Sequence, residues 1–512
     1  MKNNFKNPLI RLFARTVSET ISSSQTQASK ISRRKFIQDT TLATVVAGVS
    51  PTLFQACSTK PTSSVPTIAI IGGGIAGLSA AHSFHVKEIP YTLFEGSDRL
   101  GGRIHTLKDV FGPGLTTELG AEFIDTGHVD MINLVKEYGL ELYDIEKDVL
   151  DSKLVKDLYF FKNRHISEKE LVNEFKLFSN SIAEDIAKIE KDDSALKLLD
   201  EISLSDYLKS KGITGWLLDA LCNAFTSEMG IESSLQSSLN LLYMLNPDTS
   251  DGFKIFGDSD ERYKIIGGNS LLIQKMGERL KESLKYNHKL TRLDRVDNKF
   301  HLYFNESNDF VKFDYVILAI PFTVLRKITL NIDLPEEKSR AIQELGYGTN
   351  SKIILGYEER VWRRNKYSGY LFGEHVQNGW DSTIGQANNQ GEGSYTVFLG
   401  GEAGKNAKAD QISWLTQNLN EAFVDCSKYR NDKSYVYNWS GIPLALGSYS
   451  AYTVGQYTRI AGHESTPVGN LFFAGEHCSE DFQGYMNGGA ETGRRAAEEI
   501  LFLWSEQNIR SA

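Results

Sequence analysis

The chain is short of cysteine: Cys57, Cys222, Cys426 and Cys478 are the only four in 512 residues, with no CxxC pair and no zinc-ligand spacing. A chain this long builds its own core, so a disulfide framework is excluded as the source of its stability. Cys222 and Cys426 read as buried or half-buried free thiols. No apolar run approaches the ~18 residues that a transmembrane helix needs. Positive charge is also in deficit. Lys and Arg number 56 against 65 Asp and Glu, a net charge of −9, which repels phosphate backbones and excludes nucleic acid as a partner. There is no Ser-His-Asp hydrolase signature, no metal-ligand spacing and no internal repeat. What is present is ordinary for a globular protein, 41% hydrophobic and 24% charged, with length for two domains.

The first residues read as an address. Residues 1–30 are polar, and Ser32-Arg33-Arg34-Lys35-Phe36-Ile37 then resembles a twin-arginine export signal. A weakly apolar stretch from Thr40 to Val49 follows, and Cys57 after Ala56 resembles a lipoprotein cleavage site. The expectation is export signal over 1–57, linker over 58–66, and a periplasmic protein or one membrane-anchored through a lipidated Cys57. Twin-arginine export carries folded proteins, which suits a chain that loads a cofactor first.

Structure begins at Thr67. Thr67-Ile68-Ala69-Ile70-Ile71 has the pattern of a buried parallel strand. It runs into Gly72-Gly73-Gly74-Ile75-Ala76-Gly77, and Leu78-Ser79-Ala80-Ala81 opens a helix. Gly72 permits the tight turn, Gly74 lets backbone approach phosphate, and Gly77 lets helix pack close on strand. The helix start offers unpaired N–H groups to a pyrophosphate. A second strand, Tyr91 to Phe94, ends at Glu95, roughly 20 residues beyond the glycines, where an acid meets a ribose. This is a dinucleotide loop, and by itself it does not separate FAD from NAD.

The next residues do. Glu95-Gly96-Ser97-Asp98-Arg99-Leu100-Gly101-Gly102-Arg103 resembles the second signature of the flavin-containing amine oxidase superfamily, which includes monoamine, polyamine and L-amino-acid oxidases, tryptophan monooxygenases and some desaturases. The resemblance covers nearly all of the chain after Pro66. It implies FAD, held by Gly72, Gly74, Ile75, Ala76, Gly77, Glu95, Ser97, Gly102 and Arg103. Ser97 stands where the family commonly has arginine. Gly120, Ala121, Glu122 and Phe123 look like the segment passing the flavin ring, and Gly267-Gly268 like the pair that returns the chain to the cofactor domain. Leu290 matches a backbone contact to adenine. Gly475, Glu476, Tyr485 and Met486 fall in the last cofactor turn and at the start of the final helix, whose dipole would face the flavin. The implied fold class is α/β: a discontinuous FAD-binding Rossmann-like domain of the glutathione-reductase type, plus a mixed α+β substrate domain. Its cofactor parts are expected at 67–130, 256–330 and 451–505, with a helical substrate part at 131–255 and a further substrate part at 331–450.

Four residues carry the chemistry that the resemblance implies. Lys352 matches a lysine that holds water against the flavin; a buried lysine can stay partly neutral. Tyr449 and Tyr485 match aromatic positions flanking a substrate amine, with Trp439 placed as in the family. Ser448 stands where some relatives have a flavin-bonded cysteine, so FAD is expected to be non-covalent, with Cys478 the remaining candidate for a covalent link. Glu122 and Asp125 can attract a cationic amine, and His128 reads as structural. The expected activity is oxidation of a primary or secondary amine, or an amino acid, to an imine that hydrolyses to aldehyde or keto acid, with oxygen giving hydrogen peroxide. An L-amino-acid oxidase or tryptophan 2-monooxygenase, a desaturase, and a non-enzymatic FAD protein are the alternatives.

Overall fold

A computed structural model of the chain describes residues 65–244, 260–386 and 391–511. The export signal, the possible lipidation site at Cys57 and the linker up to residue 64 lie outside the described residues.

Four consecutive apolar residues form β1 (Ile68–Ile71), all buried. A strand without polar alternation must be covered on both faces, as in parallel sheets. β1 is followed by α1 (Ile75–Val86), β2 (Thr92–Phe94), β3 (Leu284–Lys285), β4 (Tyr315–Leu318), β5 (Leu471–Phe473) and α2 (Met486–Ser511). The five strands make one sheet in the order β5-β4-β1-β2-β3, every pair parallel. It therefore gathers strands from three distant stretches of sequence. Small residues let its helices come close. A Cβ on Gly77 would lie 1.9 Å from the Gly72 carbonyl oxygen, and one on Gly493 would lie 1.9 Å from that of Ala76. Gly77 thus lets α1 sit on the glycine turn, and Gly493 lets α2 sit on α1.

The second large sheet has seven strands, in the order Arg430–Asn438, Ser351–Tyr357, Gly393–Leu399, Gln377–Asp381, Tyr367–Gly373, Val155–Phe161 and Arg164–Ile166. All seven residues of Ser351–Tyr357 are buried, Lys352 among them. The last two strands correct one expectation, since residues 131–255 are not purely helical. Val155–Phe161 pairs in parallel with Tyr367–Gly373, burying Leu158, Tyr159 and Phe161. A short strand, Leu142–Asp144, pairs with Tyr263–Ile265, and helices make up most of the other described residues of that stretch. Glu168–Ile189 starts where Ser167 accepts a hydrogen bond from the Glu170 N–H. It buries Leu171, Phe175, Ser179, Ile182, Ile186 and Ile189, spaced three or four apart. A four-stranded sheet, Phe310–Phe313, Lys299–Phe304, Leu290–Val296 and Thr329–Asn331, packs against the opposite face of the parallel sheet from α1. Among the described residues no helix is long and apolar enough to cross a membrane.

Candidate active site

The two large sheets meet around one cavity of about 510 Å³. One wall is the glycine turn, Gly72 to Ala76, with Glu95 to Ser97, Gly101 to Arg103 and Leu290. The facing wall carries Phe123, Lys352, Asn378, Trp380, Phe398 and Tyr449. Gly120, Ala121, Glu122, Trp439, Ser448, Gly475, Glu476, Tyr485 and Met486 also line it. Of the residues singled out from the sequence, Gly77 stands behind the wall, beneath the Gly72 turn.

The glycine wall is organised by Glu95. Its Oε2 accepts from the Gly73 N–H at 2.8 Å, and its Oε1 from both the N–H and the hydroxyl of Ser97 at 2.8 Å. A Cβ on Gly74 would meet nothing within 4 Å, so backbone there is bare toward the cavity. Arg103 crosses to the far loops, donating to the Ser448 carbonyl at 2.7 Å and to Glu476 at 2.8 Å. Glu476 also accepts from the Ser450 N–H and hydroxyl and from the Gly484 N–H. Burial pushes its carboxyl up, but Arg103 and these bonds more than offset that and hold it below the usual range. Glu476 is therefore a knot that fixes three loops around the cavity.

The wall opposite is built on buried charge. Lys352 donates to the carbonyls of Glu118 and Gly120 at 2.9 Å and to Glu122 Oε2 at 2.8 Å. Three donated bonds take all three N–H groups of an ammonium, which replaces the expected partly neutral amine. Glu122 is corrected too. Its other oxygen accepts from Lys264 at 2.8 Å, so a carboxylate that was expected to draw in a cationic amine is already shared by two lysines. Sequence reading missed Lys264, which reads as an ordinary exposed lysine in a short strand. The Lys352 ammonium also lies 5.2 Å from the Trp380 ring centre.

The aromatic residues are held from behind. The Tyr449 hydroxyl donates to the Glu228 carbonyl at 2.6 Å, and burial together with Glu228, Glu476 and Glu261 keeps the phenol well above its ordinary pKa. Tyr485 meets the His128 ring edge-on at 5.0 Å. His128 does not line the cavity; it pairs with Asp125, which does. Trp439 donates from its indole to the Leu119 carbonyl at 2.9 Å.

Two cysteine questions close here. The Ser448 hydroxyl donates to Asn350 Oδ1 at 2.7 Å. Cys478 is not in the cavity wall: its thiol donates to the Glu464 carbonyl at 3.3 Å, and burial pushes it up to about 12. That removes Cys478 as a candidate for a flavin bond, and no cysteine lines the cavity among the described residues. His477 was also missed by the sequence reading. It is 2% exposed, lines the cavity, and neither ring nitrogen has a hydrogen-bond partner within the protein. Burial lowers its pKa to about 4, so the ring is neutral and offers one donor and one acceptor. The bare Gly74 backbone, the Glu95 acid and this unpartnered imidazole fit FAD, a long polar cofactor with a ribose and a pyrophosphate.

Comparison with known proteins agrees. A family profile described as flavin-containing amine oxidoreductase matches residues 75–501. Polyamine oxidase 4 of Oryza sativa subsp. japonica is 25% identical over 479 residues, spanning 88% of this chain and 90% of its own. Amine oxidase [flavin-containing] A of Canis lupus familiaris is 25% identical over 464 residues, 85% of this chain and 84% of its own. Among solved structures, cyclohexylamine oxidase from Brevibacterium oxydans IH-35A superposes with a TM-score of 0.74 at 18% identity, covering 86% of this chain and 100% of that one. A putrescine oxidase bound to putrescine gives 0.72 at 20% identity, over 85% and 99%. The chain belongs to the flavin-containing amine oxidoreductases, and is an FAD-dependent oxidoreductase of that family.

Proposed function

We propose that the protein oxidises a primary or secondary amine at the carbon bearing nitrogen. The product is an imine, which water hydrolyses to an aldehyde. Bound FAD would supply the two-electron acceptor: the carbon gives up a hydride and the nitrogen a proton, and these two electrons and two protons would leave with oxygen as hydrogen peroxide. Gly72, Gly74, Ile75, Ala76, Glu95, Ser97, Gly102, Arg103, Leu290, Gly475, Glu476 and Met486 would hold it, without a thioether, since no thiol lines the cavity among the described residues. The parallel sheet and its glycine turn support reading 67–130, 256–330 and 451–505 as one Rossmann-like FAD domain. Tyr449 and Tyr485 bound the space for the amine, and their fixed rings orient its nitrogen and exclude water. Lys352, its N–H groups committed to protein oxygens, places a fixed positive charge in the wall of that space.

One observation favours amines over amino acids. The acids Asp125, Glu228 and Glu261 line the cavity, while the lysine of the substrate wall, Lys352, is already paired with Glu122. A cationic amine is drawn to such a wall, whereas a substrate carboxylate finds no uncommitted guanidinium there among the described residues. Anaerobic mixing with a panel of amines and L-amino acids, followed at the flavin absorption band, tests this. Amines should bleach the flavin and amino acids should not; bleaching by amino acids alone would make the enzyme an L-amino-acid oxidase.

The arginine pair Arg33-Arg34 and Cys57 support one further proposal, that the folded enzyme is exported by the twin-arginine route and works in the periplasm or on a membrane surface.

A further inference from the structure

We infer that Lys264 is a positioning residue for Lys352, acting through Glu122. The inference rests on the reading that Lys352 serves the oxidation step. The two oxygens of Glu122 are divided between the two lysines, Oε1 accepting from Lys264 and Oε2 from Lys352, both at 2.8 Å. The side chains of Lys264, Glu122 and Lys352 are 8%, 3% and 3% exposed. Lys264 spends a second N–H on the Ser382 carbonyl at 2.8 Å and does not line the cavity, so its hydrogen-bonded link to the reacting space runs through the carboxylate, with the Phe123 ring 5.7 Å from its ammonium.

Two buried ammonium groups on one carboxylate leave a net charge of +1, and each buried ion costs several kcal/mol to desolvate. One lysine would neutralise Glu122. The second makes the carboxylate a fixed anion. Burial pushes its carboxyl up, but Lys264 and Lys352 outweigh that and hold it below the usual range. A carboxylate gripped at one oxygen cannot rotate or take a proton without breaking that grip, so its other oxygen becomes a rigid acceptor for Lys352. The two carbonyls then fix the remaining N–H groups. Lys264 also contributes half of the positive charge beneath the cavity, which favours an electron-rich cofactor.

Lys264→Gln removes the charge and retains an amide N–H donor on a side chain one bond shorter. The expected result is full FAD loading, a lowered midpoint potential of the bound FAD, and amine-driven bleaching slowed by at least roughly tenfold at unchanged half-saturating amine. The pKa of Glu122 should rise on loss of one cation, because burial pushes it up and Lys264 opposes that, so any ionisation of this carboxyl in the pH profile of bleaching should move to higher pH. In a Lys352→Met background the same change should alter the rate by less than about twofold, because coupled residues are not additive. If Lys264→Gln fails to fold, Glu122→Gln carries the test, since it cuts the link with both lysines in place and should slow bleaching equally. Wild-type potential and rate in Lys264→Gln, or wild-type rate in Glu122→Gln, overturn the inference when Lys352→Met alone is slow. A wild-type rate in Lys352→Met overturns the reading of Lys352 itself.

Discussion

Glu118 shows what burial does to a single residue here. Its carboxyl accepts from the Thr106 hydroxyl at both oxygens and from the Asn269 N–H. Burial pushes its pKa up to about 7, with the neighbouring Glu122 adding to the rise and these bonds and Lys264 opposing it. The folded chain thus holds a proton that the unfolded chain has released, and the sign follows: this group's contribution to stability falls as pH rises from about 4.5 to about 7. The shift corresponds to roughly 3 kcal/mol. Glu118→Gln should remove that slope, so that variant and wild-type apoprotein differ more in stability at pH 8 than at pH 4. Denaturant unfolding at the two pH values measures this, and parallel curves would refute it.

The same scale shows where sequence reading ends. Glu95, Gly74 and Lys352 were legible because each sits in a local pattern whose neighbours name the chemistry. Lys264 was not, because its burial depends on a carboxylate 142 residues away in sequence. That carboxylate, Glu122, was misread for the same reason: an acid looks free until its partners are known. His477 lies in a strand-to-turn segment where nothing local marks an imidazole as unpartnered.

At the scale of elements, α1 and α2 carry the cofactor wall together. Gly489 and Gly493 lie one turn apart on α2 and face Ile75 and Ala76 at the start of α1. Helix propensity alone would make Gly493→Ala stabilising by about 1 kcal/mol. The contact decides otherwise, because the new Cβ would overlap the Ala76 carbonyl oxygen and push α2 off α1. Gly493→Ala should cost ~1–3 kcal/mol of stability and weaken FAD binding, as read by thermal unfolding and by release of flavin fluorescence. A more stable variant with native FAD affinity would sink this account. The strands at 155–166 went unread at this scale because Lys, Asp and Tyr interrupt their apolar pattern. Val155–Phe161 pairs with Tyr367–Gly373, more than 200 residues away in the chain, and Arg164–Ile166 then pairs back on Val155–Phe161.

The whole molecule closes its cofactor wall only after the last strand, Leu471–Phe473, has joined a sheet begun at Ile68. The complete cofactor site thus needs residues from both ends of the fold, and a chain exported by the twin-arginine route would leave already loaded. Replacing Arg33 and Arg34 by lysine should strand yellow, active enzyme in the cytoplasm of a bacterial host. Cell fractionation reads the result; equal flavoprotein in the periplasm would discard the export proposal.

The seven-stranded sheet has a consequence for how the enzyme can diversify. Asn378, Trp380 and Phe398 reach the cavity from Gln377–Asp381 and Gly393–Leu399, whereas Glu95 and the glycine turn belong to the parallel sheet. These three side chains of the cavity wall are therefore carried by a different scaffold from the one that bears the glycine turn. A library confined to those three positions leaves the glycine turn, Glu95 and both tyrosines in place, and should shift amine preference with FAD retained; loss of FAD in most members would refute that separation.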